Sequence, residues 1–123
     1  MKTEIKQKLA KYWFTVLQDI LCFEIENLEK EFSKRRRKLP KKFMHQKWKK
    51  SNKFDEGGGE FRILRKGLVF EKVGVNFSEV YGKLNKYFKK KIPGTKKKSK
   101  FWASGISVVM HMKNPKIPAM HFN

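Results

Sequence analysis

Ser107, His111, His121 and Asn123 carry the side chains from which a reactive site could be assembled. His111 and His121 stand ten residues apart, with Lys116 midway. Lys116 lies inside Asn114-Pro115-Lys116-Ile117-Pro118, whose composition predicts a turn. A regular hairpin over residues 110–123, pivoting on Lys116, puts His111 directly opposite His121, in cross-strand contact. Alternate residues of a strand share a face. Ser107, Val109, His111, His121 and Asn123 then point the same way, with Asn123 opposite Val109 and beside Ser107. One face of one hairpin gathers two imidazoles, a hydroxyl and a carboxamide.

Two kinds of chemistry suit that set. Two neutral imidazoles can contribute to a divalent metal site, which would need further ligands. Alternatively, one histidine moves protons near neutral pH while the serine and asparagine orient a polar substrate. The same spacing also describes a polar sheet face open to water, and a bulge would scramble the register. His45 lies in a basic stretch and reads as a surface residue. Gly57-Gly58-Gly59 lacks the Lys-Ser/Thr of a P-loop and the G-x-G-x-x-G spacing of a dinucleotide fold. It licenses only a mobile loop or a close approach of backbones.

The elements that must position these residues divide the chain in three. Residues 3–33 read as one long helix without Gly or Pro, with Ile5, Leu9, Tyr12, Val16, Ile20, Phe23 and Phe32 as its apolar stripe. Trp13, Leu17, Leu21 and Leu28 widen it. Residues 34–59 form a basic irregular segment, anchored by Trp48 and Phe54 and closed by the glycine run. Residues 60–123 read as antiparallel strands: 60–64, 68–70 after a turn at Lys66-Gly67, 73–81 with bends at Gly74 and Gly82, 101–112, and a returning strand from Ala119. Residues 83–100 connect two of them through a Pro93-Gly94 turn. The expected class is α+β, a single domain over residues 1–123. The strand pattern is cut at Asn123, which points to a truncated or split protein.

Composition bounds the partners. The 123 residues include 31 Lys+Arg against 11 Asp+Glu, a net charge of +20. Such a chain attracts polyanions, anionic membranes or multiply anionic small molecules. Aromatics make up 14%, too many for a disordered tail. Only Arg35, Arg36, Arg37, Arg62 and Arg65 are arginines, so a lysine-biased genome accounts for much of the charge equally well. Cys22 stands alone, which excludes an intrachain disulfide and a C-x-x-C site and implies a reducing cytoplasm. No run of 18 apolar residues exists, and the charged start through Lys11 does not read as a signal peptide.

Four blocks together carry a resemblance: Gly57-Gly58-Gly59-Glu60, the stretch from Gly67 to Ser78, Phe101-Trp102-Ala103-Ser104-Gly105-Ile106-Ser107, and the stretch from His111 to Asn123. In order and spacing they resemble the N-terminal part of the oxygen-dependent coproporphyrinogen III oxidases of haem biosynthesis. The most specific pieces are Val69 to Ser78 and the two histidines ending in His121-Phe122-Asn123. Met112 follows His111 where the family often has proline.

The resemblance implies a flat antiparallel sheet flanked by helices, a homodimer and a cytoplasmic oxidoreductase. It implies oxidative decarboxylation of two propionates of coproporphyrinogen III to vinyl groups, giving protoporphyrinogen IX. Molecular oxygen is then the co-substrate, with no organic cofactor. By the same resemblance Ser107 and Asn123 contact substrate, His121 is the proton donor, and His111 with His121 serves a divalent metal in bacterial members. Asn123 matches the first residue of an Asn-x-Arg run. That arginine, later histidines, a glycine-glycine-arginine loop and the dimer-forming segment have no counterpart here, so the chain alone is expected to be inactive. The alternative is a basic nucleic-acid-binding module, with Lys89-Lys90-Lys91 and Lys96-Lys97-Lys98 tracking phosphates. It lacks any RNP-like, helix-turn-helix or zinc-finger pattern.

Overall fold

The computed structural model describes residues 1–95 and 98–123. Helix α1 (Thr3–Arg36) is followed by β1 (Met44–Lys49), β2 (Gly57–Arg65), β3 (Phe70–Lys83), α2 (Lys86–Lys91), β4 (Lys100–Met112) and β5 (Met120–Phe122). The five strands form one sheet in sequence order, each pair antiparallel. This is the expected α+β class, with α1 packed on one face. No described helix is long and apolar enough to cross a membrane.

Helix α1 runs three residues beyond the predicted end. Lys34, Arg35 and Arg36 complement the negative end of the helix dipole. Arg37 then turns left-handed at φ 51°, its amide reaching the Ser33 carbonyl.

The face of α1 that meets the sheet is not the predicted stripe. Ile5, Leu9, Tyr12, Trp13, Ile20, Phe23 and Leu28 are exposed, Tyr12 by 70%. The buried face holds Gln18, Cys22, Ile25, Glu29 and Ser33, with Phe14, Leu17 and Leu21 partly buried beside it. Two of its three polar residues satisfy backbone groups of the sheet and of the turn before β3. Gln18 Nε2 donates to the carbonyls of Glu60 at 2.9 Å and Val75 at 3.1 Å. Glu29 accepts the amides of Leu68, Val69 and Phe70 at 2.7, 2.9 and 2.9 Å. Around them Cys22 and Ile25 meet Leu64, Phe70, Val73, Val75, Ile106, Val108 and Met110. Each large side chain so buried contributes about 1.5–3 kcal/mol.

The sheet departs from the expected boundaries in four places. Residues 34–59 are not wholly irregular: β1 is an edge strand, and β2 begins at Gly57. Phe54 is 72% exposed and anchors nothing. Leu68 and Val69 belong to the turn that Glu29 holds, while the strand predicted over 73–81 is one with Phe70. Gly74 and Gly82 are paired within β3 and are not bends. The lysine-rich connector contains a short helix, α2, capped by Asn85 Oδ1, which accepts the Phe88 amide at 3.0 Å. Of the second lysine run, Lys96 and Lys97 lie outside the described residues.

Candidate active site

The core sits on the helix side of the sheet, so strand alternation sends the other set of side chains to the opposite face. In β4 the buried residues are Ile106, Val108 and Met110, which leaves Ser107, Val109 and His111 pointing away from α1. β5 pairs Val109 with His121 and Met110 with Met120. His121 therefore stands on the same face as Ser107 and His111. The next residue on that face is Asn123, and the register carried one step further sets it opposite Ser107.

The hairpin register differs from the expected one. Pairs pivot on Pro115, not Lys116, so His121 faces Val109 and lies diagonal to His111. The turn is built by Asn114: its Oδ1 accepts the Lys116 amide at 3.0 Å and its carbonyl accepts the Ile117 amide at 3.1 Å. The displacement is two residues, which preserves the face. The imidazoles still meet. Nε2 of His111 and Nε2 of His121 are 2.9 Å apart, one donating and one accepting, with ring centroids at 5.0 Å.

That contact admits proton transfer, since one imidazole of the pair holds a proton that the other can accept. It also comes close to a metal-ligand geometry. Two imidazole nitrogens, each about 2.1 Å from a tetrahedral ion, are separated by roughly 3.4 Å. The pair fits as two ligands after a small opening. Among the described residues no third His, Cys, Asp or Glu joins them.

A part of this face was missed at the level of sequence. Asn76 of β3 is paired with Ser107 and shares its face. Trp48 of β1 donates its indole N–H to Asn76 Oδ1 at 3.0 Å, reaching across β2. Gly59 makes the reach feasible: a Cβ there would fall 2.9 Å from Trp48 Cζ2 and 1.9 Å from the Phe77 carbonyl oxygen. The glycine run is thus a close backbone approach, one of its two expected meanings. The alternation Val73, Val75, Phe77 against Gly74, Asn76, Ser78 is the signal that could have marked this strand as apolar on one face and polar on the other.

Charges are sorted between the two faces. Glu60 and Glu79 lie on the helix side, where Arg62 approaches Glu60 at 3.2 Å and Lys11 approaches Glu79 at 2.9 Å. Arg62 also pairs with Asp19 at 2.7 Å, and His45 stands 3.3 Å from Glu60. All of these groups except His45 border a cleft of about 780 Å³ between α1, β1 and residues 51–55. None of Ser107, His111, His121 or Asn123 lines it. On the far side of the sheet Lys72 is paired with His111 and adds a cation to the polar face.

Residues 9–123 match the family model for coproporphyrinogen III oxidase. Among curated proteins, the chain is 46% identical over 117 residues to an oxygen-dependent coproporphyrinogen-III oxidase of Rickettsia africae, covering 95% of this chain and 40% of the relative. It is 47% identical over 123 residues to the protein of the same name from Rickettsia felis, covering 100% of this chain and 42% of the relative. The chain thus spans about two fifths of the length of these relatives. The comparisons lend the nucleic-acid reading no support.

Proposed function

Because the chain belongs to the coproporphyrinogen III oxidase family, we propose that it supplies the sheet and the paired histidines of an oxygen-dependent coproporphyrinogen III oxidase. The reaction converts two propionate side chains to vinyl groups. Each conversion consumes one O₂ and one proton and releases CO₂ and H₂O₂. In this reading His121 is the proton donor, and Ser107 and Asn123 hold substrate. His111 and His121 together serve a divalent cation, completed by ligands from outside this chain. No organic cofactor is used, and the assembled protein is a cytoplasmic homodimer.

The observation that carries the reading is the 2.9 Å meeting of His111 and His121 on an open polar face, in a chain matched along almost its whole length by this family. The net charge of +20 suits a substrate with four carboxylates. The chain alone is expected to give no turnover, since a four-carboxylate substrate needs more fixed cations than this face holds.

The test is to fuse the chain to the remaining length of the Rickettsia felis protein and supply coproporphyrinogen III under air. Protoporphyrin fluorescence after oxidation of the product should appear, and should vanish without oxygen. A folded fusion with no turnover under air overturns the reading.

A further inference from the structure

The hydrogen bond from Trp48 decides which way the Asn76 carboxamide faces. The two ends of an asparagine amide are normally hard to tell apart. An indole N–H can only donate, so the atom it meets must be the oxygen. With Oδ1 held by Trp48 at 3.0 Å, Nδ2 is turned away from the indole. Among the described residues Nδ2 has no protein acceptor, and it is not a buried unsatisfied atom, so it opens to the polar face.

The face is open on the β4 side of Asn76, while on the β2 side its neighbour is Phe61. On β4 its cross-strand neighbour is Ser107, and one step away Gly105 has nothing within 4 Å of where a Cβ would stand. Gly74 lies two residues before Asn76 on the same face, buried beneath the Phe61 ring. Ser107 and Asn76 are thus cross-strand neighbours about 5 Å apart, and Asn123, one residue past β5, follows on the same face. Together they present N–H and O–H donors. Of the strand carboxylates Glu60, Glu71 and Glu79, Glu60 and Glu79 are on the other side of the sheet, while Lys72 is on this one.

We propose that Asn76, oriented by Trp48 across the gap at Gly59, donates Nδ2–H to a carboxylate of the bound tetrapyrrole. This inference rests on the proposed function for the identity of the ligand. Asn76 is a substrate-contacting residue, and Trp48 is a positioning residue that acts through it. This donor set extends the site from β5 and β4 to β3 and fixes a carboxylate beside Ser107.

The test titrates the chain, fused to the remaining length of the Rickettsia felis protein, with coproporphyrin III, whose four carboxylates match those of the porphyrinogen, and with its tetramethyl ester. Asn76→Asp keeps an acceptor for Trp48 but replaces the donor by a like charge. It should weaken coproporphyrin binding more than tenfold and leave ester binding unchanged. Trp48→Phe frees the amide to flip and should weaken coproporphyrin binding about threefold to fivefold, again sparing the ester. Thermal melts of both variants report whether they fold. Asn76→Ala serves as second variant if Asn76→Asp does not fold, with a fivefold loss expected. Tight binding by the wild type that is unchanged in the folded Asn76 variants sinks this inference and leaves the proposed function standing. Absence of wild-type binding removes the carboxylate contact as well, and turnover by the fusion then judges the proposed function separately.

Discussion

The carboxylate of Glu29, in the last quarter of α1, accepts the backbone amide of Leu68 at 2.7 Å. The same carboxylate takes the amides of Val69 and Phe70, so one side chain holds the whole β2–β3 turn against the helix. Gly67 is part of this fit, because a Cβ there would lie 2.3 Å from Glu29 Oε1. The turn in turn sets where β3 begins, and β3 carries Asn76 to its place opposite Ser107.

Removing that carboxylate strands three donors. Glu29→Ala should destabilise the chain by roughly 3 kcal/mol or more, since buried hydrogen bonds to a charged group are each worth about 1.5–3 kcal/mol and are only partly replaced by water. Glu29→Gln keeps one acceptor oxygen and should cost about half as much. Urea denaturation gives the ordering, and hydrogen exchange locates it. Amides of residues 68–70 that remain as protected in Glu29→Gln as in the wild type contradict this role.

A methyl group at Gly59 has nowhere to go. It would meet the Phe77 carbonyl oxygen at 1.9 Å and the Trp48 ring at 2.9 Å. Gly59→Ala is therefore expected to push Trp48 off Asn76 and loosen the β2–β3 pairing. Steady-state emission should shift to the red as the indole meets water, and the melting temperature should fall. An unchanged Trp48 signal, isolated in a Trp13→Phe, Trp102→Phe background, refutes the packing argument.

Legibility in the sequence followed how one-sided each signal was. β4 was plain because Ile106, Val108 and Met110 alternate with smaller or polar residues over a strand with one buried face. The shared face of Ser107, His111 and His121 survived a wrong pivot, since a slip of two residues moves His121 along the strand without turning it over. β1 was illegible: Met44, His45, Gln46 and Lys47 are all exposed, so an edge strand with little burial shows no period-two contrast. The buried face of α1 was misread because its most buried members are Gln18 and Glu29, at 1% and 0% exposure. Their partners are backbone groups 39 to 57 residues away, which no helical periodicity encodes. Asn76 stayed unmarked for the same reason, as its partner Trp48 lies two strands distant.

Burial, opposed by the neighbouring Arg62, pushes the Cys22 thiol up to about 11. The fold thus favours the neutral thiol. The stability this contributes is fully present below the ordinary thiol value near 9 and is lost as pH rises through about 11. Raising the thiol from 9.0 to about 11 corresponds to no more than about 3 kcal/mol. Cys22→Ala should lose packing energy at every pH but show a shallower decline between pH 9 and 11. Urea titrations at pH 8 and pH 10.5 on both proteins measure the difference. Coincident pH slopes would rule the thiol out as a contributor.

The two histidines should differ in kind. In the proposed reading His121 supplies the proton, so His121→Ala should lower turnover of the fused oxidase by about 10²–10⁴-fold, the usual weight of a general acid. His111 touches His121 through a single N–H···N contact at 2.9 Å, which holds the ring angle of its partner and makes the two tautomers complementary. His111→Ala removes that support and should lower kcat, with KM moving less. His111→Gln can offer an amide N–H or an oxygen to the same nitrogen and should recover part of the loss. If Gln and Ala at this position are equally impaired while the melting temperatures match, His111 is not orienting His121. A kcat that is unchanged in His121→Ala would remove the proton-donor role altogether, and with it the reason for the pair to face one another.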